Sequence, residues 1–564
     1  MDDFNHFFIR KIENIRMDID NLDVSQKMPC TNNLHQMQTF SNFQSTNFSA
    51  VESTIASMTR KTCSLDPLPT QMIKDHLEVI APMISEITNQ SLSNGVFPSA
   101  LKLSHVRPLL KKPKLDKEQF NNYRPVSNIP FLAKVIEKIV ARQTYHYLES
   151  NNLLPLKQSA YRKHHSTETA LLKVTNDIFR ALDQRQEVVL LMLDLSAAFD
   201  TLDHAILIKR LEDYFGFHGT VLDWYQSYLT NRCQAVVIDN NVSQPLGLKH
   251  GVPQGSILGP LLFTLYTAPL QDIITAHKVD SIFYADDSQL YITLNPKHKD
   301  ATLETLRNCV SEVIKWNSEN KLRCNPTKTE VIIFSSRYVQ PPSPINTFSF
   351  DGTTIQVSDK VSNLGTTMDK YLSFSQFIND TCRKALFALR SIGGIRKYLS
   401  EEDLKRLVCS LLLSRLDYCN SLYYNLPNNE INKLQRVQNT AARLITGSKR
   451  IDHITPVLKH LHWLPILSRI RYKILLLVYK SLKGSSPEYI ASLLNKYNPA
   501  RNLRSSSKSL LQVPTVNTVT YGKRSFSHAA PSLWNTLSED IKSCESFTVF
   551  KKQLKTLLFK DIYG

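Results

Sequence analysis

Two features are missing from this sequence: long hydrophobic runs and paired cysteines. The apolar runs VVLLML and ILLLVY are far shorter than the ~18 residues that a membrane helix needs. The nine cysteines are odd in number and include no C-x-x-C pair, which argues against a disulfide framework and a cysteine zinc site. The first residues also lack the basic-then-apolar order of a secretory signal. We therefore expect an intracellular, soluble protein of the nucleus or the cytoplasm, without a membrane partner.

The excess of positive over negative charge lies in the last third of the chain. The 564 residues carry a formal net charge of +18, yet residues 1–360 contain equal numbers of basic and acidic side chains. The whole excess therefore belongs to residues 361–564. A basic section of this size indicates a polyanionic partner such as nucleic acid, although a solvated lysine-rich surface would have the same composition.

The apolar fraction of 42% is typical of a globular chain, and its patterns divide the sequence into regions. Residues 28–51 carry no charge, so we predict a flexible polar lead-in over 1–51, followed by a helical connector over 52–94. From 95 to 368, short apolar strands alternate with long helical patterns and include a hairpin. This mixture predicts the α+β class, and the patterns after residue 368 are mostly helical.

Carboxylates stand at the ends of two apolar strand patterns. Asp194 follows VVLLML, a run that favours a strand covered on both faces, while Asp286 and Asp287 lie at the tip of the hairpin pattern FYADDSQLY. If the two strands are neighbours, three acids converge, and such a group suits a pair of Mg²⁺ ions that also bind substrate phosphates. A solvated turn is the alternative for the Asp-Asp pair, and spacing alone does not identify an enzyme.

Several segments resemble the ordered motifs of reverse transcriptases. The segments LDLSAAFDTLDH, GVPQGSILGPLLF, FYADD and NPTKTEVIIF stand in the order of that family's motifs, and YRPVSNIPFLAKVIEKIV and QSAYRKHHSTETALL are similar to its upstream motifs. The amino-acid sequences of these motifs are most similar to those of non-LTR (LINE-type, jockey-like) retrotransposon enzymes. The resemblance runs from about Thr62 to the end of the chain.

The resemblance implies an RNA-directed DNA polymerase shaped like a right hand. Its fingers and palm would occupy 95–368, with a small antiparallel palm sheet packed on helices, a helical thumb would follow over 369–450, and a basic, mostly helical region would fill 451–564. The expected partners are an RNA template, a DNA primer and deoxynucleoside triphosphates. Asp194, Asp286 and Asp287 match the triad that binds two Mg²⁺ ions, with Mn²⁺ as an alternative.

Other residues gain expected roles from the same resemblance. Phe199 matches an aromatic steric gate against ribonucleotides, although a core phenylalanine is the alternative, and Gln254 lies where the family contacts the nucleotide and the template. Lys328 matches a proposed general acid for pyrophosphate, although a solvated turn lysine fits as well. Arg162 is expected to contact the template or to pack, while Asp200 and Asp203 are interpreted as local capping or surface acids at a helix start.

Two basic groups complete the expected site. The hairpin Val106–Ile129 carries Lys111, Lys112 and Arg124 on two antiparallel strands, where they would bind the triphosphate unless they only form an exposed basic loop. In KLQRVQNTAARLI, helical spacing places Leu434, Val437, Ala441 and Leu444 on one face. The other face, with Lys433, Arg436 and Arg443, would then follow a nucleic-acid backbone or lie in solvent.

Two other functions fit parts of the sequence. One is a nucleic-acid-binding derivative without activity, which the intact acidic triad opposes. The other is an RNA-dependent RNA polymerase, which Phe199 and Ala285 oppose because they follow the reverse-transcriptase pattern. The ~60 residues before the resemblance are too few for the endonuclease domain that full elements carry, so we expect polymerisation without that activity.

Overall fold

The chain begins with packed helices. In the computed structural model, which describes residues 1–21, 38–239, 241–338, 345–498 and 509–564, these helices are α1 (Asp2–Asp20), α2 (Phe48–Ala56), α3 (Thr70–Asp75) and α4 (Leu77–Ser93). The α1 helix buries Phe8, Ile15 and Ile19, whose spacing places them on one face.

The predicted lead-in over 1–51 differs from this arrangement. Besides α1, the segment that leads to α2 is packed, since the Phe40 ring stacks on the Tyr147 ring with 4.9 Å between their centroids. The prediction of an unpacked lead-in is therefore wrong for the described residues of this region, because aromatic side chains anchor them to the following helices. Residues 22–37 of the predicted lead-in lie outside the described residues.

Strands and helices then alternate, as the α+β prediction requires. The strands are β1 (Leu103–Leu110), β2 (Tyr123–Asn128), β3 (Glu187–Leu193), β4 (Leu195–Ser196), β5 (Arg232–Ile238), β6 (Asn241–Val242), β7 (Leu246–Leu248), β8 (Asp280–Tyr284), β9 (Asp287–Leu294), β10 (Arg323–Cys324), β11 (Glu330–Phe334), β12 (Thr347–Phe350), β13 (Thr353–Ser358), β14 (Lys360–Asn363) and β15 (Thr366–Asp369). The helices among them are α5 (Phe131–Ser150), α6 (Thr167–Asp183), α7 (His204–Asp213), α8 (Gly219–Leu229), α9 (Gly259–Thr267), α10 (Leu270–Ala276) and α11 (Lys299–Glu319). The mixed α+β class is confirmed.

A five-stranded sheet contains the predicted basic hairpin. Its order is β2-β1-β5-β6, with β7 paired to β5, and β1 and β2 are antiparallel with Leu109 opposite Arg124. The hairpin is thus confirmed, but Lys111 and Lys112 lie in the turn beyond β1 and not on a strand. They do so because β1 ends at Leu110, where the 111–122 connection begins.

A six-stranded sheet carries the acidic residues. Its order is β12-β13-β11-β3-β9-β8, and all its pairs are antiparallel except β11 with β13. The strand β3 lies inside this sheet, between β11 and β9. The short strands β4 and β10 form a separate antiparallel pair directly after β3.

Both faces of β3 are buried, as its continuous apolar run predicts. Val188 and Leu190 belong to a hydrophobic core shared with α6 and the C-terminal helices. Val189, Leu191 and Leu193 point to a second core shared with α5, α8 and α9. Because alternate residues of a strand face opposite sides, this double burial fixes the strand in place on both sides.

The rest of the chain is helical. Its helices are α12 (Ser375–Ile395), α13 (Glu401–Val408), α14 (Ser414–Leu416), α15 (Asn428–Thr446), α16 (Ile454–His460), α17 (Ile466–Leu482), α18 (Glu488–Ala491), α19 (Phe526–Trp534), α20 (Glu539–Lys542) and α21 (Phe547–Tyr563). The helix α12 packs against α15, and α17 packs against α19 and α21. Within the described ranges, no helix combines the length and the apolar character that crossing a membrane requires.

Candidate active site

The register of two neighbouring strands brings the predicted acids together. In the antiparallel pair β3–β9, Leu193 lies opposite Ser288. Asp194 follows Leu193 and Asp287 precedes Ser288, so these two acids meet at the same end of the ladder. The hairpin β8–β9 closes with Tyr284 opposite Asp287, which leaves Asp286 in its two-residue turn. The convergence that the sequence predicts is therefore present in the sheet.

The tip of this hairpin is held by one buried amide. The side chain of Gln158 accepts a hydrogen bond from the Ala285 N–H at 3.0 Å and donates one to the Ala285 carbonyl at 3.3 Å. Ala285 has a φ of +57°, a strained value for a residue with a side chain, and this clasp stabilises it. Sequence analysis missed Gln158, since nothing in its local pattern points to residue 285.

The acids affect one another electrostatically. Partial burial raises the pKa of Asp286, and the charge of Asp194 raises it further, while Lys328 and Arg124 lower it. The Asp287 side chain reaches solvent, yet desolvation by the surrounding protein, followed by the charges of Asp286 and Asp194, raises its pKa to about 6. Raised pKa values are expected for carboxylates that lie close together, and a nearby positive charge would stabilise their ionised forms.

Lys328 supplies part of that charge. Its Nζ lies 2.9 Å from Asp194 Oδ2, although the lysine side chain is 62% exposed. Lys328 stands in the turn between β10 and β11, and Asn325 in the same turn donates its N–H to the Asp194 carbonyl at 2.8 Å. Both contacts tie this turn to the end of β3.

The donor chemistry of the three acids suits a hard divalent cation. Within the described parts of the chain, no group of three or more His, Cys, Asp and Glu side chains forms a ready-made metal cage. A magnesium site does not need one, because Mg²⁺ in phosphoryl-transfer sites is held by one or two carboxylates together with substrate phosphates. The oxygen donors of Asp194, Asp286 and Asp287 fit that requirement.

Phe199 lies in the turn after β4 and is half-buried. Its ring stacks on Phe263 with 4.7 Å between centroids, and its carbonyl accepts a hydrogen bond from the Val252 N–H at 2.9 Å. The ring therefore packs partly against the second core, as the core alternative expects. These two contacts also fix its orientation at the edge of the site.

The two neighbouring acids differ from each other. Asp203 caps the N-terminus of α7, since its carboxylate accepts the Ile206 N–H at 3.0 Å, which confirms the capping interpretation. Asp200 is not a cap or a surface acid: burial raises its pKa to about 6, and it accepts a hydrogen bond from Gln254 Nε2 at 2.6 Å. The prediction for Asp200 is wrong because the turn at Ala197, with a φ of +51°, directs the following residues inward.

The glycine-rich loop before α9 passes very close to other backbone segments. Gly251 has a φ of +79°, and a Cβ there would lie 2.6 Å from the Asp200 carbonyl oxygen. Gly255 has a φ of +136°, and a Cβ there would lie 2.3 Å from the Ser127 carbonyl oxygen. Both positions therefore require glycine. Between them, the Gln254 carbonyl accepts the Ser127 N–H at 2.8 Å, which joins this loop to β2.

A buried glutamate fixes the other end of this loop. Glu137 of α5 is fully buried, and its carboxylate accepts hydrogen bonds from the Ile257 N–H at 2.6 Å and the Tyr228 hydroxyl at 2.9 Å. The sequence analysis did not single out Glu137. Its partners are about 90 and 120 residues away in the chain, so no local pattern could have identified it.

Of the basic residues of the hairpin, Arg124 is close enough to the acids for its charge to affect one of them. The charge of Arg124, on β2, lowers the pKa of Asp286. Burial lowers the pKa of Lys111, and the nearby charges of Lys11, Lys328 and Arg124 lower it further. Lys111 Nζ also donates to the Asn121 carbonyl at 2.7 Å.

Arg162 braces the loop that carries the hairpin clasp. Its Nη1 donates to the Pro155 carbonyl at 2.5 Å and to the Gln158 carbonyl at 3.3 Å. Of the two roles that the sequence left open, packing is the one that these contacts support.

Comparison with known proteins bears on this geometry directly. Residues 110–368, which hold the strands, the acids and the glycine loop described above, match the family described as reverse transcriptase (RNA-dependent DNA polymerase). Over these residues, the chain is similar to reverse transcriptases. The chain is 28% identical over 371 residues to the probable RNA-directed DNA polymerase from transposon BS, 26% over 430 residues to that from transposon X-element, and 25% over 370 residues to the RNA-directed DNA polymerase from mobile element jockey, all of Drosophila melanogaster.

These relatives confirm the predicted resemblance to non-LTR reverse transcriptases. The alignments cover 64%, 74% and 64% of this chain, but only 40%, 46% and 39% of the respective relatives. The chain thus spans less than half the length of the relatives that it matches.

The predicted basic face of α15 lies outside the matched reverse transcriptase domain. The apolar residues Leu434, Val437 and Ala441 are buried as expected. The basic residues are not equivalent, however. Lys433 is neutralised by Glu430 at 2.9 Å, whereas Arg436 is exposed.

The third basic residue of that face, Arg443, is also occupied. It donates hydrogen bonds to the carbonyls of Lys449, at 3.2 Å, and of Asp452, at 3.1 Å. Two of the three basic residues therefore have partners within the protein, Lys433 in an i,i+3 pair and Arg443 in the loop after the helix C-terminus. Binding of nucleic acid by this face stays a prediction.

Replacing Gly255 should damage the loop of the reverse transcriptase domain. We expect Gly255→Ala to lower the thermal unfolding midpoint measurably, because its Cβ would overlap the Ser127 carbonyl oxygen in a conformation that suits only glycine. Gly247→Ala is the matched control, since nothing lies within 4 Å of its Cβ position. Equal midpoints for the two variants would contradict this account of the loop.

Proposed function

We propose that this chain is an RNA-directed DNA polymerase of the non-LTR retrotransposon type, which extends a DNA primer on an RNA template with deoxynucleoside triphosphates. The observation that carries the proposal is the β3–β9 register, which sets Asp194 opposite Asp287 beside Asp286 within the matched reverse transcriptase domain. In this reading the two sheets belong to fingers and palm over 95–368. The helices of 369–450 form a thumb, and 451–564 form an additional basic region.

The three acids would hold two Mg²⁺ ions, with Mn²⁺ as an alternative. When bound, these ions would stabilise the charge on the attacking and leaving oxygens of phosphoryl transfer. Burial and the charge of Asp194 raise the pKa of both Asp286 and Asp287, so these carboxylates are suited to this role because nearby positive charge would stabilise their ionised forms. The primer 3′-hydroxyl attacks the α-phosphate of the nucleotide, and pyrophosphate leaves.

The surrounding side chains bind and orient the substrates. Arg124, Lys111 and Lys112 bind phosphate oxygens from the fingers side, as guanidinium and ammonium groups do well. Gln254, fixed by Asp200, contacts the nucleotide beside the glycine loop. Lys328, in the turn between β10 and β11, donates a proton to the leaving pyrophosphate.

The thumb presents further basic surface to the template–primer duplex. Arg436 is exposed on α15. The helix α12, which packs against α15, exposes Lys384, Phe387 and Arg390. Cations with an interleaved aromatic ring suit a nucleic-acid backbone.

Amidation of the acids tests the proposal. We expect Asp194→Asn and Asp286→Asn each to reduce DNA-primer extension on an RNA template by at least about 10²-fold. Each substitution removes a negative charge that would hold a metal ion at the reacting phosphate. Asp300→Asn, an exposed acid in the first turn of α11, is the control and should extend normally. Retained synthesis by either triad variant, or no synthesis by the unaltered chain, would refute the assignment.

The steric gate has a separate test. We expect Phe199→Val to lower the preference for deoxynucleotides over ribonucleotides by about tenfold or more, because the 2′-hydroxyl would no longer meet the ring. The measurement is the ratio of kcat/KM for dNTP and NTP on one template. A lower thermal midpoint with an unchanged ratio would mean that Phe199 only packs on Phe263.

The thumb surface is tested by the salt dependence of duplex binding. We expect Arg436→Gln to reduce the slope of log K against log salt by about 0.9, the value for one lost phosphate contact. Lys433→Gln should reduce it less, because Glu430 already neutralises Lys433. If Arg436→Gln leaves the slope unchanged, α15 does not bind the duplex through this residue.

A further inference from the structure

The helix α1 lies N-terminal to the matched domain but is anchored to both sides of the site. On the fingers side, Asn5 is fully buried, accepts a hydrogen bond from Gln234 Nε2 and donates one to the Gln244 carbonyl, both at 2.9 Å. On the palm side, Arg16 forms an ion pair with Asp203 at 2.6 Å. The middle of α1 is therefore held across the space between fingers and palm.

Further contacts strengthen both anchors. The Phe4 ring packs on Phe120 of the fingers connection with 4.2 Å between centroids. Near the other end of α1, Asp18 pairs with Arg323. Because α1 is held at both ends, it cannot rotate freely about its axis, and the side chains that face the cleft are fixed.

Lys11 occupies this middle position and faces the site. Its half-buried side chain lines the same cavity as Asp200, Gln254 and Ser127. The next residue back, Arg10, is exposed. The helix thus directs Lys11, together with Ile12 and Glu13 but not Arg10, toward the glycine loop.

Lys11 joins a group of cations drawn from separate segments. Lys111 comes from the fingers connection and Lys328 from the turn before β11, and both are close enough for their charges to interact with that of Lys11. Like charges gathered in this way are unfavourable unless an anion binds between them. The charge of Asp200 acts on Lys11, and Asp194 pairs with Lys328 at 2.9 Å, but among the described residues no carboxylate forms an ion pair with Lys111.

We propose that Lys11 binds the triphosphate of the incoming nucleotide together with Lys111 and Arg124, an inference that rests on the proposed polymerase function. A triphosphate is compact and carries several charges, so one molecule engages cations that converge from different segments. A template backbone would present its phosphates one nucleotide apart. The observations therefore favour the nucleotide over the template as the ligand of Lys11.

Steady-state kinetics with the full chain test this role. We expect Lys11→Ala to raise the KM for dTTP about tenfold, the loss typical of one charged hydrogen bond, with little change in kcat. Lys11→Arg should restore most of the affinity, because it keeps the charge. Arg10→Ala, a charge removed from the exposed side of the same helix, should leave KM unchanged.

Three results would overturn the proposal. The first is an unchanged KM for dTTP in Lys11→Ala. The second is a weaker Kd for template–primer in that variant without a specific effect on dTTP, which would assign Lys11 to the template. The third is a lower thermal midpoint with unchanged KM, which would make Lys11 a structural countercharge to Asp200.

A binding measurement separates this proposal from the polymerase assignment. On a template–primer whose primer ends in a dideoxynucleotide, dTTP opposite adenine should protect Lys11 from acylation by an amine-reactive reagent, while exposed Lys297 stays reactive. Equal labelling of Lys11 with and without dTTP would refute its role. If the unaltered chain fails to extend primers, the polymerase assignment fails, and the acylation result alone then decides whether Lys11 binds a nucleotide.

Discussion

The register between β3 and β9 is the constraint on which the site depends. The strand β3 is bonded to β11 on one side and to β9 on the other, and its residues alternate between two hydrophobic cores. A slip of one residue would exchange Leu190 and Leu191 between these cores and move every side chain to the wrong face. Burial on both faces therefore fixes where β3 ends, and with it the position of Asp194 beside Asp287.

Holding acids at such a place is costly, and the fold offsets the cost with cations from distant segments. Burial and mutual repulsion raise the pKa of Asp286 and Asp287. Lys328 comes from the turn before β11, and Arg124 comes from the β1–β2 hairpin. Because these charges lie on different parts of the chain, the electrostatics of the site depend on how the five-stranded and six-stranded sheets are packed together.

Local patterns account for the elements that the sequence could predict. The apolar run before Asp194, the Asp-Asp hairpin and the buried face of α15 are all set by residues a few positions apart, and each is present in the structure. Single side chains that act over long distances were missed. Gln158 clasps Ala285 across 127 residues, and the Asp200–Gln254 bond spans 54. Such contacts leave no periodic signal, so only the folded chain reveals them. The roles expected of the triad came from the resemblance to a family.

The helix α1 was missed for a different reason, since the sequence does contain a helical pattern of apolar residues there. Phe8, Ile12, Ile15 and Ile19 recur at helical spacing, but the uncharged stretch that follows dominates the composition of this region. Phe8 packs with Val106 and Val236 of the five-stranded sheet, and Arg16 reaches Asp203 at the start of α7. The packed unit around the site thus extends beyond the matched residues 110–368. Because α1 is held at both of these places, it brings Lys11 to the cavity beside Gln254 without any motif of its own.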